Sequence, residues 1–127
     1  MTAARALEGY AYLLCCILFT IYGQVVMKWQ VGLVGAMPTS IGEKVFFLVG
    51  MFLKPWVLTV LFAGFLASLC WMLTLTRLPL SVAYPCMSLA FVGVILLSSV
   101  FFGEPLSVAK FAGMALLVVG IALLNLK

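Results

Sequence analysis

The chain has 127 residues, 67% of them hydrophobic and only 8% charged, with a mean hydropathy of +1.35 and a formal net charge of +4. Soluble domains need a polar surface, and ordinary chains carry about 25% charged residues, so a water-soluble globule is excluded. The seven basic residues are scattered one or two per connection, which argues for helix anchors near headgroups and against a nucleic-acid partner.

The first apolar run follows Arg5 and covers about Tyr10–Trp29. It is too long for a signal peptide and is not followed by a small-x-small cleavage pattern, so it reads as a retained first span. Crossing the hydrocarbon core takes roughly 20 apolar residues at about 1.5 Å each. Three further segments qualify, at about Trp56–Thr76, Ser81–Phe102 and Ser107–Leu126. The last three are joined by the short connections RLPL and GEPL, which make them antiparallel neighbours. Pro55, Pro79 and Pro105 stand where helices begin or have just ended. The first connection is longer. It holds the loop VGLVGAMPTS, then IGEK and the apolar run VFFLVGMFL at 45–53, closed by Lys54 and Pro55. That run is too short to cross and is flanked by charge, which suits a short interfacial or re-entrant helix. The fold class expected is an all-α integral membrane protein, with residues 1–127 forming one four-helix domain. Arg5, Arg77 and Lys127 then share one side, and Lys28, Lys44, Lys54 and Lys110 the other. This near balance leaves the orientation open.

Polar groups at membrane depth are costly and usually face a cavity or another helix. In TIYGQVVMK (20–28), Cys16, Thr20, Gln24 and Lys28 recur every four residues and share a helical face, with Gly23 beside it and no acidic residue nearby in sequence. Tyr84 and Ser88 have the same spacing in the third span, and Ser68, Trp71 and Thr74 share a face in the second. Together they read as a cleft with Thr20, Gln24, Lys28, Trp71, Tyr84 and Ser88 as candidate substrate contacts. The bland alternative is that the hydroxyls bond their own backbone and the aromatics mark interfaces. Ala109, Gly113 and Gly120 place small residues along the fourth span, a candidate dimer interface.

No acid pair, Ser–His–Asp set or phosphate loop is present, so no catalytic residue and no enzyme activity are expected. With no His, and with Cys15, Cys16, Cys70 and Cys86 all in apolar runs, neither a metal site nor a cofactor is expected. Glu104, in the tight GEPL connection, is expected to favour the N-terminus of the fourth helix through its macrodipole.

The order of TIYGQVVMK, RLPLSVAYPCMSL, SSVFFGEPLS and FAGMALLVVGIALLNL resembles the small four-helix members of the drug/metabolite transporter superfamily (EamA-like and small multidrug resistance-like chains). The resemblance covers about two thirds of the chain. Small multidrug resistance proteins are antiparallel dimers exchanging cations for protons through a Glu in the first helix. Aligning Gly23 and Lys28 with their pattern puts Thr20 at that Glu, and Thr cannot titrate near neutral pH or pair with a cation. Their Gly-rich stretch in the third helix reads SLAFVG here, with bulky Phe91. The small subunits of the aminoarabinose-phosphoundecaprenol flippase are more similar, above all over CWMLTLTRLPLSVAYPCMSL. That resemblance implies a flippase of the bacterial inner membrane moving a glycosylated polyprenyl phosphate by alternating access, as a homodimer or with a related small subunit. Lys28 is then the phosphate-binding candidate, with Arg77 on the other side as a second, although for Arg77 plain snorkelling to the interface ranks ahead. The alternatives are an exporter of small cations or metabolites, and a structural subunit of a membrane glycosyltransferase complex.

Overall fold

A computed structural model describes residues 2–126, so Lys127 lies outside the described residues. Every regular element among them is helical: α1 Ala3–Val34, α2 Ile41–Phe52, α3 Pro55–Leu75, α4 Leu80–Met87, α5 Leu89–Phe102 and α6 Val108–Leu124. The all-α membrane architecture expected from composition is the one observed. Three helical segments are long and apolar enough to cross a bilayer: α1, α3 and the consecutive α4–α5 stretch Leu80–Phe102. The 17-residue α6 is also apolar, at about 26 Å long.

Local chemistry sets the ends. The Thr2 hydroxyl caps α1 by accepting the Arg5 N–H at 3.4 Å, and the helix stops at Gly35, whose φ of +82° suits glycine. Its 32 residues exceed what a span requires, so α1 projects beyond the hydrocarbon. Ser40 caps α2 and Ser107 caps α6, each accepting the N–H three residues on at 3.2 Å. Pro55 opens α3, where its missing N–H costs nothing. Gly103, at φ +65°, ends α5.

One helix expected to be continuous is interrupted. Pro85 lies inside α4, and the Ser88 N–H and side-chain hydroxyl both donate to the Pro85 carbonyl. The Phe91 N–H then reaches back only to Ser88. Pro cannot continue the i→i−4 ladder, and these tighter bonds divide the segment at Ser88.

The core is small and lies where α1 meets α4, α5 and the α3–α4 turn: Leu13, Ile17, Leu78, Ala83, Cys86 and Ala90, with Trp71 and Ile121 packed against it. The most extensive helix packing is α1 on α3. Glycine lets α1 approach closely at Gly9, where a Cβ would lie 2.7 Å from Leu78 Cγ and 2.8 Å from Arg77 Cβ. Outward-facing positions carry large apolar side chains, such as Phe62 at 63%, Phe65 at 60% and Leu116 at 73% exposure. Such a surface belongs in lipid. Glu8–Arg77 and Tyr10–Asn125 contacts gather the start of α1, the end of α3 and the end of α6 at one pole. Edge-on packing of Trp29 and Trp56, with ring centroids 5.3 Å apart, marks the other.

Candidate functional site

Thr20 and Gln24 sit one turn apart on α1 and line a groove of about 300 Å³ between α1 and α3, floored by Gly23, Val60, Gly64 and Ala67. The small residues create the space. The Thr20 hydroxyl donates to the Cys16 carbonyl at 2.8 Å, which leaves its oxygen as an acceptor. Gln24 is exposed and offers both amide donors and a carbonyl acceptor.

Lys28 continues the stripe one turn further. Its Nζ lies 3.6 Å from Glu104 Oε1, with the two side chains 61% and 40% exposed. The stripe therefore does have an acid beside it, brought from the α5–α6 connection. Glu104 is thus engaged with Lys28, and it is Ser107 that caps the N-terminus of α6. Lys110 Nζ donates to the Pro105 carbonyl at 2.9 Å and braces the same connection.

The other candidates lie apart from this groove. Trp71 and Tyr84 pack edge to face, with centroids 6.2 Å apart, and Tyr84 is 69% exposed. Ser88 is half-buried with its hydroxyl turned to the Pro85 carbonyl. Ser68 and Thr74 donate in the same way to the carbonyls of Gly64 and Cys70, at 3.0 and 2.8 Å. Of the six candidate contacts only Thr20 and Gln24 line the groove; Lys28, Trp71, Tyr84 and Ser88 do not. Arg77 pairs with Glu8 at 3.1 Å, and its buried Nε has no hydrogen-bond partner among the described residues. On α6, Ala109 and Gly113 are exposed and Gly120 half-buried. Among the described residues, a Cβ added at either glycine would meet nothing within 4 Å, so those residues leave this face unused at the glycines.

Two features escaped sequence reasoning. Tyr10 donates to Asn125 Oδ1 at 3.1 Å, while Asn125 Nδ2 bonds the Ile121 carbonyl at 2.8 Å and Cys86 Sγ at 3.5 Å. This cluster edges a groove of about 390 Å³ between α1, α4 and α6. The signal was present: an Asn at the end of an apolar helix needs partners. The second is the size of the space beside α2, about 560 Å³, lined by Val34, Pro38, Phe46, Phe47 and Met51 with Lys54 at one end. Among the described residues no cluster of His, Cys, Asp or Glu suits a metal.

Residues 1–126 match the model of the EamA-like transporter family. A Pseudomonas fluorescens protein named "Probable 4-amino-4-deoxy-L-arabinose-phosphoundecaprenol flippase subunit ArnE" is 39% identical over 113 residues, covering 89% of this chain and 92% of its own. An Aeromonas salmonicida protein named as the ArnF subunit of the same flippase is 34% identical, covering 100% of this chain and 85% of its own. Another, from Photorhabdus laumondii, is 30% identical over 94% of this chain and 98% of its own. No solved structure matches the chain.

Proposed function

Because the chain belongs to the EamA-like transporter family, we propose that it is a flippase subunit that carries a glycosylated polyprenyl phosphate across the bacterial inner membrane. It works as a dimer with a second copy or a related small subunit, alternating the exposure of one site between the two faces. The four membrane spans are α1, α3, the α4–α5 pair and α6, in one domain, with α2 at the interface. Membership in a transporter family agrees with the expectation of no enzyme activity.

The observation that carries this reading is the Thr20–Gln24–Lys28 stripe. It has no carboxylate at the position where cation/proton exchangers hold one, and it ends in an exposed lysine. A sugar hydroxyl taken unpaired into hydrocarbon costs several kcal/mol, so a headgroup needs substitutes for water along its path. Thr20 supplies an acceptor and Gln24 both donors and an acceptor, while the prenyl chain stays in lipid. Lys28 supplies a mobile point charge for the phosphate. Arg77, at the other pole, is the candidate to receive the phosphate there, in exchange with Glu8.

The test is mass spectrometry of lipids retained by the protein purified in mild detergent, for wild type and Lys28→Ala. A polyprenyl phosphate or its glycosylated form should accompany the wild type and be depleted in the variant. Only bulk phospholipid in both would remove the reading.

A further inference from the structure

We infer that Glu104 sets the affinity of the site by competing with the lipid phosphate for Lys28, so that capture of the phosphate breaks the tie between α1 and the α5–α6 connection. The inference rests on Lys28 being the phosphate-binding cation.

At 3.6 Å the pair is beyond hydrogen-bond range but within Coulombic contact, and both side chains are substantially open to water. An exposed ion pair of this kind is weak and easily exchanged. The Glu104 backbone is held: Gly103 turns the chain in the left-handed region, the Gly103 N–H bonds the Ser99 carbonyl at 3.1 Å, and the Glu104 N–H bonds the Ser98 carbonyl at 3.4 Å. Its side chain, 40% exposed, is free to turn from Lys28 to water. A phosphate on the Lys28 ammonium would stand within a few ångströms of the carboxylate, and like charges at that separation repel. Phosphate and carboxylate therefore exclude one another at Lys28. Breaking the pair costs little, because both groups are exposed and water rehydrates the freed carboxylate.

The consequence is opposite to that of an ordinary structural ion pair. Removing the Glu104 charge relieves Lys28 of its competitor, so the anion binds more tightly. Glu104 acts here as a positioning residue, holding Lys28 toward the α5–α6 connection until the lipid takes it.

The experiment titrates undecaprenyl phosphate into the full-length protein in mild detergent, reading occupancy by native mass spectrometry. Wild type, Glu104→Gln, Glu104→Asp and Lys28→Ala are compared. Glu104→Gln should bind about two- to fivefold more tightly, Glu104→Asp close to wild type, and Lys28→Ala about tenfold or more weakly. Unchanged or weaker binding by Glu104→Gln, with Lys28→Ala still impaired, overturns the competition and leaves the phosphate site standing. Equal binding by wild type and Lys28→Ala overturns both. Should Glu104→Gln not fold, the wild type decides: hydrogen exchange at the Gly103 and Glu104 amides, bonded to the Ser99 and Ser98 carbonyls, should speed up when undecaprenyl phosphate is added. Unchanged or slowed exchange there overturns the inference.

Discussion

Several hydroxyls inside this bundle are turned to their own helices. Thr20, Ser68 and Thr74 each donate to the carbonyl one turn back, and Ser88 does so to Pro85. The hydroxyls are acceptors, and among the stripe residues Gln24 brings amide donors to the α1–α3 groove. Replacing Gln24 by Leu should therefore lower transport of the sugar-linked lipid in reconstituted vesicles by about tenfold, while binding of the bare polyprenyl phosphate persists because Lys28 is intact. Loss of both together would mean that Gln24 holds the fold rather than the sugar. Glycines separate in the same way. Gly9→Ala forces a Cβ against Leu78 and Arg77 and should cost about 1–3 kcal/mol, seen as a lower thermal midpoint in detergent. Gly50→Ala on α2 meets nothing within 4 Å and should raise stability by about 0.5–1 kcal/mol. Midpoints moving the same way would undo this account of α1 packing.

Among the elements, the α4–α5 break is the one with a mechanical consequence. Pro85 and Ser88 interrupt the ladder in the middle of a stretch that must otherwise span as one rod. Pro85→Ala restores a backbone N–H and removes the ring, so a continuous helix should form over Leu80–Phe102. If the break is a flexing point of transport, the rate falls several-fold while the protein becomes more heat-resistant. An unchanged rate would make the break a packing accommodation only. This element also shows what could be read from sequence. Hydropathy and the prolines at helix boundaries located the helical segments, because burying backbone in lipid leaves few options. Hydropathy passes over the interior Pro85 and reads Ser81–Phe102 as one span, and the tight Ser88 bonds that accompany the break are not encoded in a local pattern. The α2 helix was visible as an apolar run with charges at its ends, and Ser40 with Glu43 marks its true start. Of the site, the α1 stripe follows from a four-residue period. The Lys28–Glu104 and Arg77–Glu8 pairs join residues far apart in sequence, and no local pattern encodes such partners.

The whole molecule places an ion pair at each pole, Glu8–Arg77 at one and Lys28–Glu104 at the other, with apolar surface between them. The groove joining Thr20 to Gln24 is open and, at about 300 Å³, shallow for a sugar phosphate. A headgroup lodged there would still face hydrocarbon on one side, leaving hydroxyls unpaired at several kcal/mol each. A second subunit, as proposed, would close that side, and α6 offers a face that could hold one. Along α6, Ala109, Gly113 and Gly120 leave a strip on which, among the described residues, no neighbouring side chain packs at the glycines. Without a hydrophobic drive between helices in lipid, association depends on close dispersion contact, which small residues permit. Gly113→Leu should therefore convert the protein from dimer to monomer in detergent, measured by light scattering, and abolish transport. Its helix content should stay unchanged, since the position is open in the single chain. Lys28→Ala should weaken phosphate binding about tenfold or more and remain dimeric. The two variants separate assembly from recognition, and a dimer that survives Gly113→Leu would place the interface on another face of the bundle.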